Sequence, residues 1–115
     1  MPTIHILHPH AGDDVRPVLR DLCADMSAAA GLPADKVWAF WHPIEASMAW
    51  CPNWNGEPRG GPVVRIFCRR SHAAEKVRTI VEILRSSLAA ALGCGASTVF
   101  VQVIRVDDEE VFNVC

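Results

Sequence analysis

The feature that most constrains how this chain can fold is an internal repeat. Gly61-Pro62-Val63-Val64-Arg65-Ile66-Phe67 restates Met1-Pro2-Thr3-Ile4-His5-Ile6-Leu7 at an offset of 60. Apolar residues at helical spacing (Val15, Val18, Leu19, Leu22, Met26, Ala29) are answered by Val77, Ile80, Val81, Leu84, Leu88 and Ala91 at an offset of 62. Gly93 answers Gly31, and Val99-Phe100 answers Val37-Trp38. The second half therefore carries a two-residue insertion in its strand-to-helix loop, around Arg69-Arg70. Each half reads strand, helix, strand, and a crossover helix of that length joins parallel strands. The simplest assembly is an α/β (α+β) single domain over 1–115. It has one four-stranded sheet with both helices on one face, and a pseudo-twofold relates units 1–50 and 61–106 across the loop 51–60. The other sheet face is left bare and apolar, which requires a partner surface.

Within each unit the boundaries follow from local chemistry. Thr3 to His8 alternates around Ile4 and Ile6 as a strand, and His8-Pro9-His10-Ala11-Gly12 breaks it. Asp13 or Asp14 can cap the first helix, with Pro17 in its first turn, where a missing N–H is harmless. Gly31 and Pro33 end it. Val37 to Trp41 reads as a strand covered on both faces. Residues 43 to 61 hold three prolines, Trp50 and Trp54, and turn pairs, with a short helix around Glu45 to Ala49. Ser71 can cap the second helix.

Composition excludes several classes. Half of the residues are hydrophobic and 21% are charged, a high apolar share for one small surface, which predicts burial against other subunits. With a net charge of −2 and no basic cluster beyond Arg69-Arg70, nucleic acid is not an expected partner. No run approaches a membrane span, and no signal-peptide layout opens the chain. Five cysteines without a CxxC read as free thiols in a reducing cytoplasm, packed as small hydrophobes. His8, His10 and His42 suggest a metal site, but no Cys/His spacing supports one, so no metal is expected.

The chemistry-bearing feature is the proline behind the initiator methionine. Removal of Met1 makes Pro2 a free secondary amine on a rigid ring, able to act as an acid or base once apolar burial and a nearby cation lower its pKa. Retention of Met1 leaves a tertiary amide without basicity. The alternative is that Pro2 only starts an edge strand, and on this feature alone that reading is the simpler.

Pro2, the fused β-α-β repeat, the segment Pro33-Ala34-Asp35-Lys36-Val37 and Arg69-Arg70 together resemble the tautomerase superfamily. Its members include 4-oxalocrotonate tautomerase, macrophage migration inhibitory factor and malonate semialdehyde decarboxylase. The resemblance implies a homotrimer with the proline at the base of an apolar pocket, no cofactor, and a small carboxylate substrate. It is nearest to the decarboxylase branch, whose aspartate before the second strand and arginine pair after the third match Asp35, Arg69 and Arg70. Arg69 and Arg70 can grip a carboxylate and lower the Pro2 pKa, or be a solvated loop pair. Asp35 can orient the proline or activate water, or be turn chemistry. Trp50 and Trp54 can wall the pocket, and Trp38 with them, although Trp38 and Trp41 also suit core or interface. Phe100 reads as core, and His5 and His72 as surface or capping residues. Three outcomes follow from the resemblance: a keto–enol tautomerase on a small 2-oxo acid, a decarboxylase or hydratase of a 3-oxo acid, or a catalytically silent trimer. The chain departs from the family pattern in lacking tyrosine altogether and in carrying Trp38 where small tautomerases have an arginine.

Overall fold

A computed structural model describes residues 2–9, 14–56, 59–107 and 109. Four strands, β1 (Thr3–His8), β2 (Trp38–Pro43), β3 (Val63–Arg69) and β4 (Phe100–Val106), form one sheet in the order β2-β1-β3-β4. β1 runs parallel to β2 and β3 parallel to β4, while β1 and β3 meet antiparallel at the centre, with Thr3 opposite Phe67 and Leu7 opposite Val63. That is the arrangement two tandem βαβ units make when joined by a pseudo-twofold.

Helices α1 (Arg16–Ala30) and α2 (Ala74–Leu92) cover one face. Strand alternation sends Ile4, Ile6, Val64, Ile66 and Cys68 toward them, where they close a core with Leu22, Met26, Ile80, Leu84 and Leu88. Each helix ends on a glycine at positive φ, Gly31 at 66° and Gly93 at 67°, a conformation that costs other residues a steric penalty. The starts differ from expectation. α2 begins after Ala73 with no side-chain cap, so Ser71 belongs to the turn before it. At α1 the Asp14 carboxylate accepts the Arg16 backbone N–H at 3.1 Å, although the helix itself begins after Val15. The long connection holds two 3-10 turns, Ala46–Met48 and Pro52–Trp54.

β2 is not covered on both faces. It is an edge strand, and its side chains Trp38 and Phe40 stand on the helix-free side, 50% and 45% exposed. Phe100 lies on the same open face at 57% exposure, so it is not core. The register lines this face with Thr3, His5, Leu7, Phe67 and Ile104 as well. His5 stacks on Phe40 at 5.3 Å between ring centres, and its Nδ1 lies 2.8 Å from His42 Nε2, one ring donating to the other. Arg65 Nε donates to Gln102 Oε1 across β3 and β4.

Candidate active site

Pro2 directly precedes β1, and its backbone carbonyl accepts the Trp38 N–H at 3.4 Å, which ties the strand start to β2. Continuing the central register sets Pro2 across from Cys68, and both side chains are fully buried. Above the proline is a cavity of about 300 Å³. Three segments build it. The turn after α1 gives Leu32 and Pro33, the 3-10 turn Ala34–Lys36 gives Lys36, and the end of β3, the β3–α2 loop and the first turn of α2 give Arg69, His72 and Lys76.

The electrostatics of this cavity are one-sided. Arg69, Lys36 and Lys76 line it together with an imidazole, and among the described residues no carboxylate does. Arg69 Nε is buried without a hydrogen-bond partner, an arrangement that a bound anion would satisfy. His72 registers the field. Its pKa is lowered first by burial and then by the positive charges of the amino terminus, Lys76, Arg105 and Arg69. The Cys68 thiol is pushed up by burial, against a smaller opposite pull from Arg105 and the amino terminus.

The β3–α2 loop is held from both sides. The His72 N–H donates to the Arg69 carbonyl at 3.1 Å. Arg105, on β4, donates from one terminal nitrogen to the Arg70 carbonyl at 2.9 Å and to the His72 carbonyl. Lys36, Lys76, His72 and Arg105 are the residues that sequence reasoning missed. Lys36 lies inside the Pro33–Val37 segment already singled out. Lys76 and His72 are signalled only by their closeness to Arg69-Arg70.

The structure separates the other candidates from this cavity. Arg70 turns away, and its Nε donates to Asp107 Oδ1 at 2.6 Å in an exposed ion pair. Asp35 is exposed, does not line the cavity, and uses its backbone carbonyl to accept the Trp38 indole N–H at 3.0 Å. Trp50 is 86% exposed. Trp54 works at the other end of the sheet, where its indole N–H donates to the Gly61 carbonyl at 2.9 Å. Trp41 packs partly buried on the core. His8 faces the helices, whereas His42 is on the open face opposite Leu7, so the two cannot share a metal; His10 lies outside the described residues. Cys115 and the segment Val111-Phe112 also lie outside them. A larger space of about 510 Å³ at the α2–β4 edge has, among the described residues, Arg85 as its one charged lining residue.

Two tandem βαβ units in a β2-β1-β3-β4 sheet give the chain a tautomerase-like fold. Among solved structures the chain is similar to a wild-type fused 4-OT in an asymmetric trimer, with a TM-score of 0.82 at 18% identity over 96% of this chain and 91% of that one. It is also similar to a member of the cis-3-chloroacrylic acid dehalogenase family (TM-score 0.75, 17% identity, 96% and 79% covered). A third likeness is to macrophage migration inhibitory factor of Toxoplasma gondii (0.71, 15%, 96% and 95%). No protein-family model matches the sequence, and neither does any curated protein. Among the described residues no helix is long and apolar enough to cross a membrane.

Proposed function

We propose that this chain is a cofactor-independent keto–enol tautomerase for small 2-oxo (enol) carboxylic acids, with Pro2 as its acid–base residue. The observation that carries this reading is the placement of Pro2, fully buried at the base of a cavity lined by Arg69, Lys36 and Lys76. Once Met1 is removed, burial and three neighbouring cations all disfavour the charged ammonium and bring the amine toward neutral pH, where proton transfer is most effective. Arg69 holds the substrate carboxylate and, with the lysines, stabilises the enolate oxygen as charge develops. Arg70, tied to Asp107, contributes nothing to the cavity.

The decarboxylase or hydratase alternative asks for Asp35, which stands outside the cavity. The assembly we propose is a homotrimer in a reducing cytoplasm. The exposed Trp38, Phe40 and Phe100 form an unpartnered apolar sheet face, and the similar fused 4-OT is an asymmetric trimer. Sedimentation at micromolar concentration is expected to give a trimer mass; a monomer mass would overturn the assembly.

The activity is tested with phenylenolpyruvate as probe, after intact mass has established whether Met1 is absent. The processed protein is expected to speed ketonisation well above the solvent rate. A Met1-retaining form that is equally active would show that the proline nitrogen is not the acid–base group.

A further inference from the structure

The Pro2 cavity contains a second group that can carry a proton. We propose that His72 is a catalytic residue that works with Pro2, serving the oxygen side of the tautomerisation while the proline serves the carbon side. This rests on the Pro2 reading and adds to it a second proton carrier.

The geometry comes first. His72 lines the same cavity of about 300 Å³ as Pro2. Its backbone is fixed at both ends, the N–H by the Arg69 carbonyl and the carbonyl by Arg105. The bonded loop follows directly on Arg69 at the end of β3, so the carboxylate-binding cation and the imidazole enter the cavity from backbone segments tied to each other. A bound 2-hydroxy-2-enoate has its hydroxyl oxygen one carbon from its carboxylate. A carboxylate held at Arg69 therefore brings that oxygen toward residues of the Arg69 loop, with C3 farther along the substrate.

The charge state fits the division of labour. Positive charges that act on His72 include Lys76 on α2, Arg105 on β4 and Arg69 on β3, with Lys36 across the cavity. Burial and these charges act in the same direction, against the imidazolium, which favours the imidazole as a proton acceptor. The amine and the imidazole repel each other's proton, so the pair holds one proton between them. In ketonisation the enol O–H bond breaks and its proton goes to the imidazole nitrogen. The O–H electron pair forms the C=O π bond, and the C=C π pair takes a proton from the Pro2 ammonium to make the new C3–H bond. The protein is left with an imidazolium and a neutral amine. Proton exchange with solvent returns the pair to its starting state, so atoms and charge balance over a turnover.

The test is the pH profile of kcat/KM for phenylenolpyruvate with the processed protein and its His72→Gln variant, folding being checked by thermal melting. The active pair carries a single proton, so the wild-type profile is expected to be a bell. Its acid limb reports His72 and its basic limb Pro2. His72→Gln should lower kcat by about 100-fold, the low end of general acid–base contributions, leave KM nearly unchanged, and erase the acid limb. In His72→Ala, added imidazole should restore part of the lost rate. A His72→Gln protein with wild-type kcat and an unchanged acid limb, or a His72→Ala protein that imidazole does not rescue, overturns the role of His72 while the Pro2 reading stands. A processed wild-type protein with no turnover above solvent overturns both.

Discussion

The two βαβ units present the same structure twice and finish it in opposite ways. At the head of β1, Pro2 is buried beneath a cavity open to small molecules. At the head of β3, Pro62 is equally buried, and its carbonyl accepts the Phe100 N–H just as the Pro2 carbonyl accepts that of Trp38. Around Pro62, however, loop residues are stitched over the proline, and the space of about 510 Å³ beside them does not include it. Gly61 N–H donates to Thr98 Oγ1, the Asn53 amide donates to the Thr98 and Gly61 carbonyls, and the Trp54 indole donates to the Gly61 carbonyl. His8 Nε2 donates to the Gly60 carbonyl at 3.3 Å. One proline end is a site and the other is a seam. What distinguishes them is the connecting loop 51–60, whose Asn53 and Trp54 bond across the Pro62 end. An internal proline nitrogen is an amide without basicity, so the second end loses no chemistry by being filled.

The strongest way to break this comparison is to give Pro2 the covalent state of Pro62. A form that retains Met1 or carries an N-acetyl group should lose about 10²–10⁴-fold in turnover, the usual worth of a positioned acid–base group, with melting temperature nearly unchanged. Initial rates on phenylenolpyruvate decide it.

Next comes the arginine pair. A charge-assisted hydrogen bond is worth about 1.5–3 kcal/mol, so Arg69→Ala should cost roughly ten- to a hundredfold in kcat/KM on carboxylate substrates. Arg70→Ala should stay near wild type, because its bond to Asp107 is an exposed ion pair of small energetic worth. Equal losses in the two variants would put Arg70 in the site as well.

The seam predicts the reverse pattern, stability lost and activity kept. A Cβ on Gly60 would come within 2.3 Å of Asn53 Oδ1. Asn53 cannot yield without breaking its bonds to Thr98 and Gly61, so Gly60→Ala should destabilise by about 1–3 kcal/mol. Trp54→Phe, which removes one donor to Gly61, should cost about 1 kcal/mol. Denaturant melts measure both, and turnover should hold.

The smallest effect is in pH. His5 is shifted below its ordinary value by burial and then by His42, and His72 by burial and its cationic neighbours. The unfolded chain therefore binds these protons at higher pH than the native one. Stability from this source is complete above about pH 6.5. It declines as pH falls through that value and stops declining below the native pKa values. His5→Phe should flatten the decline without affecting turnover.

Much of the fold was legible because the repeat encodes it. Matching apolar positions in α1 and α2, together with the recurring glycines Gly31 and Gly93, set the element order, and parallel pairing within each half followed. Caps were not legible. Ser71 is a good capping residue in isolation, but Arg105 holds the loop carbonyls on either side of it, and α2 starts later. The open face was expected as a whole but not which side chains line it, since an apolar run such as Val37 to Trp41 looks the same on an exposed edge as in a covered centre. Pro2 and Arg69 drew attention by position and pattern. Lys36, His72 and Lys76 did not, because only the fold gathers the end of α1 and the start of α2 over one strand. The aromatic candidates Trp50 and Trp54 were read from loop composition, which cannot say toward which end of the sheet a loop folds.

The antiparallel meeting of β1 and β3 gives the molecule a polarity. Pro2 sits at one end of the sheet and the Pro62 seam at the opposite end. A rotation about an axis along the strands carries each end onto its own kind, never onto the other. Any ring of copies built that way has every Pro2 on one rim and every stitched loop on the other. The acid–base role proposed for Pro2 leaves no room for an added residue ahead of it. The stitched rim is therefore the side from which the protein can be tethered, labelled or fused through its connecting loop while every cavity is left open.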